Sequence, residues 1–191
     1  MTDRTEQLLP TPSHTVGPFY GYALPFPGGE RIAPVGHPDR ITLHGHVLDG
    51  AGAPVPDAIL EFWQAAPDGS LAGAPGSMRR DPVTGGFLGR NGTDFTGFGR
   101  VATDADGHYA LFTLPPGNAG APYVGVCVFA RGLTHHLFTR AYLSEGGGDT
   151  LLDALPAARR ATLIATAEPH RTYRFDIRLQ GEGETVFLEF T

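Results

Sequence analysis

Residues 97–132 read GFGRVATDADGHYALFTLPPGNAGAPYVGVCVFARG, a stretch that resolves into three strands separated by two turns. Phe98–Thr103 runs into Asp104-Ala-Asp-Gly107, a polar turn of the kind that closes a hairpin. From His108 to Leu114 the residues alternate, with Tyr109, Leu111 and Thr113 on one face and Ala110, Phe112 and Leu114 on the other. Pro115-Pro116-Gly117 ends that strand, because proline removes a ladder donor and glycine permits the bend. Tyr123–Ala130 is a nearly unbroken apolar run, the pattern of a strand covered on both faces. Arg131 stands where that strand leaves the interior, and it is the first candidate functional residue.

Outward from this stretch the pattern repeats. Ile41, Leu43, Gly45 and Val47 alternate with Thr42, His44, His46 and Leu48, so Ile41–Asp49 is a strand. A turn at Asp49–Gly52 precedes a second strand, Ala58–Gln64, which holds the sole tryptophan, Trp63. Residues 71–96 lack strand or helix period, and a structureless loop of that length implies a functional or assembly role. His136–Leu143 is a further strand, and Glu145–Asp149 is a break. Pro156–Ala165 is the one good helix candidate, with proline in its first turn. Tyr173, Phe175, Ile177 and Leu179 alternate again, and a turn at Gly181–Glu184 leads into a closing strand through Phe190. Short strands at close spacing with one short helix and long loops predict an all-β, two-layer β-sandwich.

The first forty residues differ. Thr11–Tyr22 is rich in proline, glycine and aromatic rings without periodicity, which suits a shaped arm packed on another surface. The expected organisation is an arm over 1–40 and a sandwich core over 41–191. With 191 residues and 41% hydrophobic content, the chain can bury a real core. A net charge of −6 gives no phosphate-binding footprint, so nucleic acid is excluded as a main partner. The lone Cys127 cannot form an internal disulfide and lies in the apolar run, a small buried hydrophobe. The N-terminus lacks the basic and apolar regions of a signal peptide and no membrane-length run follows, so a cytoplasmic location is expected.

Little in the sequence by itself carries chemistry. There is no Gly-x-Ser-x-Gly elbow, no glycine-rich loop before a helix, and the carboxylates are scattered. His44 and His46 share a strand face and could clamp a metal, but no third ligand marks a site; solvent-facing histidines are the simpler reading. His135 and His136 point to opposite faces, and His14, His37, His108 and His170 are isolated.

The segments GFGR, TDADGHYALFTLPPG and APYVGVCVFARG resemble the core of the intradiol ring-cleaving dioxygenases. LLPTPSHTVGPFY, ILEFWQAAPDG, FARGLTHHLFTRAYL and YRFDIRLQGEGETVFLEF extend the resemblance, in order, over most of the chain. It implies the β-sandwich of that family and an O2-dependent opening of a catechol ring at a non-haem Fe(III). The family's catalytic chains hold iron with two tyrosines and a His-x-His pair. Here Tyr123 and Gly125 occupy the histidine places. One tyrosine place falls near Leu71 and the other among Asn118, Ala119 and Gly120. All four ligands are missing, and neither glycine nor leucine can coordinate.

More narrowly, those stretches resemble the alpha-type, non-ligating chain of heteromeric members that act on protocatechuate. It implies a homologous beta chain holding the Fe(III), an (αβ)n assembly, and a pocket completed by this chain through Thr15, Gly17, Pro18, Phe19 and Arg131. Arg131 suits the substrate carboxylate, since a guanidinium fork binds a carboxylate with two parallel hydrogen bonds. Phe19 departs from the family's tyrosine, leaving Tyr20 or Tyr22 to supply a hydroxyl. Two other readings stay open on sequence: a self-sufficient dioxygenase using ligands such as His44 and His46, or a non-enzymatic β-sandwich binding or assembly module.

Overall fold

Alternation of buried and half-exposed residues along Ile41–Leu48 (β1) fixes one wall of the molecule: Ile41, Leu43, Gly45 and Val47 point inward. The structure is a computed structural model, and it describes Tyr20 and residues 24–189 apart from 77, 118, 119 and 147. The remaining strands are β2 (Ile59–Trp63), β3 (Arg79–Arg80), β4 (Phe87–Gly89), β5 (Phe98–Ala102) and β6 (His108–Thr113). They are followed by β7 (Tyr123–Phe129), β8 (Leu137–Tyr142), β9 (Thr166–Glu168), β10 (Thr172–Arg174) and β11 (Ile177–Arg178).

Two sheets face each other. In one, β1 pairs antiparallel with β6 and, along its other edge, parallel with β10 and then β11, while β9 lies outside β10. The other is antiparallel in the order β5-β2-β7-β8. Leu43, Leu60, Phe62, Tyr109, Leu111 and Val126 meet between them in one cluster. Burying each such side chain contributes roughly 1.5–3 kcal/mol. Polar groups caught inside are satisfied: the Thr113 hydroxyl donates to Gln64 Oε1 (2.7 Å), whose amide donates to the Leu114 carbonyl (2.8 Å). The all-β sandwich expected from the strand spacing is the observed class.

Several local expectations are corrected. The Asp104–Gly107 turn does not close a hairpin, because β5 belongs to the sheet of β2 and β6 to the sheet of β1. It is a corner between layers. Asp104 Oδ1 accepts from the amides of Asp106 and His108, and Gly107 takes φ +72° while its carbonyl accepts from Val47 N–H (2.9 Å). The 71–96 segment is not wholly irregular, since β3 and β4 form a small antiparallel pair within it.

The expected Pro156–Ala165 helix is only Ala157–Ala161 (α2), preceded by a second short helix, Thr150–Ala154 (α1). Asp149 caps α1 by accepting from the amides of Leu151 and Leu152. Helix α2 stops early because the edge of β8 takes the backbone beyond it: Tyr142 N–H donates to Leu163 O and Ala165 N–H to Tyr142 O, both at 2.8 Å. Among the described residues the closing strand is reduced to one bridge, Phe138 to Leu188, and Phe190 lies outside them. Among the described residues preceding β1, Ile32 joins the main cluster, with its N–H on the Phe112 carbonyl (2.8 Å).

Candidate functional site

β2 and β7 run antiparallel with Ile59 opposite Phe129 as their last pair. Carrying that register two residues further places Asp57 opposite Arg131, where both strands leave the sandwich. Arg131 Nε lies 2.8 Å from Asp57 Oδ2, although the arginine side chain is 72% exposed. Tyr20 closes the group. Its hydroxyl donates to the Asp57 main-chain carbonyl, and the Arg131 backbone amide bonds to the same phenol oxygen. Burial first, and then the Asp57 charge, raise the Tyr20 pKa, so the phenol stays protonated and donating. Asp57 and Arg131 edge a groove of about 590 Å³ shared with Pro54, Val55 and Leu133. A guanidinium presented in this way can take up a carboxylate from a molecule entering from outside.

The face where iron would be expected is different. Trp63, Gly125 and Arg140 lie side by side across β2, β7 and β8. A cleft of about 360 Å³ opens there, lined among others by Trp63, Leu71, Tyr123 and Gly125. Leu71, at one ligand place, is 82% exposed and apolar. Gly125 has no side chain. Tyr123 lies under the Arg140 guanidinium, 4.3 Å from its ring centre. Asn118 and Ala119, at the fourth place, lie outside the described residues. Among the described residues no three His, Cys, Asp or Glu are placed to hold a metal ion. At the described ligand places, Tyr123 beside Gly125 and Leu71 offers one phenol and no second donor, which does not make a set for Fe(III).

The histidines make their own network. His44 and His46 share the outward face of β1, as expected. His108 is not isolated: it pairs with His46 across the β1–β6 ladder, and its Nε2 is 3.2 Å from His44 Nδ1. His44 Nε2 contacts Glu168 Oε2 at 2.9 Å, and His46 Nδ1 is 3.6 Å from Asp176. Both nitrogens of His44 are thus engaged, on opposite sides of its ring, which leaves His44 and His46 partnered rather than simply solvated.

Of the site residues named from sequence, Arg131 is described, and Thr15, Gly17, Pro18 and Phe19 lie outside the described residues, as does Tyr22. Tyr20, considered as a replacement hydroxyl, is committed to Asp57 and Arg131. Asp57 itself escaped the sequence reading. Its only signal is its place just after Pro54-Val-Pro56 and before β2, and that becomes meaningful once the β2–β7 register is known.

The strand order and the cleft over β2 and β7 define a two-sheet β-sandwich, and the comparisons with known proteins give its family. The family model described as Dioxygenase matches residues 17–141, and the chain belongs to this family, the intradiol dioxygenases. It is 40% identical, over 95% of its length and 98% of the relative's, to the protocatechuate 3,4-dioxygenase alpha chain of Burkholderia cepacia. It is 30% identical to the beta chain from the same organism, over 84% of this chain and 78% of that one. Among solved structures, the dioxygenase domain of a carbohydrate-binding fusion protein from Streptomyces sp. SirexAA-E matches with a TM-score of 0.56. That match has 26% identity and covers 90% of this chain and 99% of the other. No helix among the described residues is long and apolar enough to cross a membrane.

Proposed function

We propose that this chain is the alpha-type subunit of a protocatechuate 3,4-dioxygenase, with a homologous beta chain holding the Fe(III) and this chain completing the pocket in an (αβ)n assembly. The reaction opens protocatechuate between its two hydroxyl-bearing carbons and places both atoms of O2 in 3-carboxy-cis,cis-muconate. One observation carries the reading: the chain has lost donors at the ligand places yet keeps Arg131 exposed at the end of β7, oriented by Asp57. The relatives named alpha and beta chain support the two-chain arrangement.

The work of this chain is then positioning. The guanidinium of Arg131 binds the substrate carboxylate and offsets its charge, and the arm of residues 1–40, through Thr15, Gly17, Pro18 and Phe19, walls the pocket. A cytoplasmic location goes with the same reading. The test is iron content and protocatechuate-dependent O2 uptake, on the chain alone and co-purified with a beta-type chain. Iron and activity only in the complex support the proposal. Stoichiometric iron with activity in the lone chain would overturn it, and an iron-loaded but inert complex would point to another substrate.

A further inference from the structure

We infer that Asp57 is a positioning residue for this pocket: it holds Arg131 by one edge, so that the rest of the guanidinium faces a substrate carboxylate, and it ties the arm to the same point through Tyr20. This rests on the reading of Arg131 given above and extends it to a residue that touches no substrate.

An arginine with 72% of its side chain exposed has little packing to choose its rotamer, and ordering it has an entropic cost. Asp57 removes that freedom in advance. The nearest approach is between Nε and Oδ2, at 2.8 Å, and neither Nη of Arg131 makes a hydrogen bond among the described residues. A bidentate clamp by Asp57 would have used up the fork, whereas a single contact through Nε leaves both amino groups for a second carboxylate. The backbone of Asp57 serves another purpose. Its carbonyl accepts the Tyr20 hydroxyl, while the Arg131 amide bonds the phenol oxygen. Residue 20 directly follows the segment carrying Thr15, Gly17, Pro18 and Phe19. The root of the arm and the head of the arginine are therefore fixed to one residue, at the mouth of the Pro54–Leu133 groove.

The experiment uses the assembled, iron-loaded complex with the beta-type chain and two substrates, protocatechuate and catechol, the latter lacking the carboxylate. Asp57→Ala should raise KM for protocatechuate about tenfold, the equivalent of ~1.4 kcal/mol, with a smaller change in kcat and little change in KM for catechol. Asp57→Asn, which keeps an oxygen for Arg131 Nε, should recover part of the loss. The double variant Asp57→Ala/Arg131→Ala should be no worse than Arg131→Ala, because both act through one contact. If Arg131→Ala discriminates between the substrates but Asp57→Ala and Asp57→Asn behave as wild type, the inference about Asp57 is wrong and the Arg131 reading stands. If Arg131→Ala does not discriminate, the Arg131 reading fails and takes this inference with it. Equal KM rises for both substrates in the Asp57 variants would mark a purely structural role and also overturn it. Should Asp57→Ala not assemble, Asp57→Asn carries the comparison.

Discussion

Gly45 and Phe175 meet backbone to backbone: a Cβ on Gly45 would overlap the main-chain carbonyl of Phe175. Phe175 N–H donates to the His44 carbonyl at 2.7 Å, and the buried Tyr109 hydroxyl donates to the Phe175 carbonyl at 2.6 Å. The chain after β10 thus presses against β1, along the same edge, at a point where no side chain fits between them. That close approach separates β10 from β11, two short parallel pairings in one register.

Gly45→Ala is accordingly expected to destabilise the chain by about 3 kcal/mol, the upper part of the range for overpacking a tight contact. Gly125→Ala is the control. A Cβ there would meet the Trp63 carbonyl oxygen at 3.2 Å, and alanine is the better strand former, so a change within ~1 kcal/mol is expected. Urea denaturation of the two variants measures both values. An unchanged midpoint in Gly45→Ala would show that the close approach yields easily.

Strand partners mark where sequence reading stops. Alternation in Ile41–Leu48 and His108–Leu114 gave the inward faces correctly, because period two is a local property of an extended chain. The partner of each strand is not local. The Asp104–Gly107 turn has hairpin composition, yet Asp104 bonds the amides of Asp106 and His108 around a corner that carries the chain into the other sheet. Helix α2 was overestimated for a related reason, since the β8 edge claims residues 163–165 and outweighs helix propensity. At the site, Arg131 was legible because a charge ends an apolar strand. Asp57 was not, because its relation to Arg131 runs through the register of two strands 60 or more residues apart.

Acid should weaken the outer face of the β1 sheet. Burial alone would raise the Asp176 pKa, but hydrogen bonds from Arg174 and from the His46 amide outweigh it and hold the carboxyl below its ordinary value. Asp104 is also held low, first by the His108 amide. Carboxylates depressed in the folded state contribute stability above their unfolded pKa, about 3.9, and lose it as pH falls through the folded value. Stability is therefore expected to decline below about pH 4. In Asp176→Asn the decline should be shallower, as urea midpoints over a pH series will show. An equally steep decline in the variant would mean that Asp176 is not one of the groups responsible.

Cys127 should be inert in the folded chain. Burial first, and the nearby Glu61 second, push its thiol up to about 12, and it is only 5% exposed. Thiolate is the reactive form, so a thiol-specific disulfide reagent at pH 8 should label the native protein very slowly and the urea-unfolded protein at once. Rapid labelling without denaturant would show that the β7 face opens readily.

Arg90 presents the reverse case, a cation that the fold holds at a cost. Its Nη2 donates to Thr96 Oγ1 (2.8 Å) and to the Phe98 carbonyl, but Nε and Nη1 are buried with no hydrogen-bond partner among the described residues. Burial pulls its pKa down to about 10, only partly opposed by Glu30. The stem packs near Phe26, with the guanidinium carbon 5.6 Å from the ring centre. A methionine keeps an apolar stem of similar length and removes the unpaired donors. Arg90→Met should therefore leave the urea midpoint unchanged or raise stability by up to ~1 kcal/mol, whereas Arg90→Ala, which loses the stem as well, should cost about 2 kcal/mol. If methionine proves as damaging as alanine, the charge itself is stabilising, and the two silent donors must have a partner in the assembled protein.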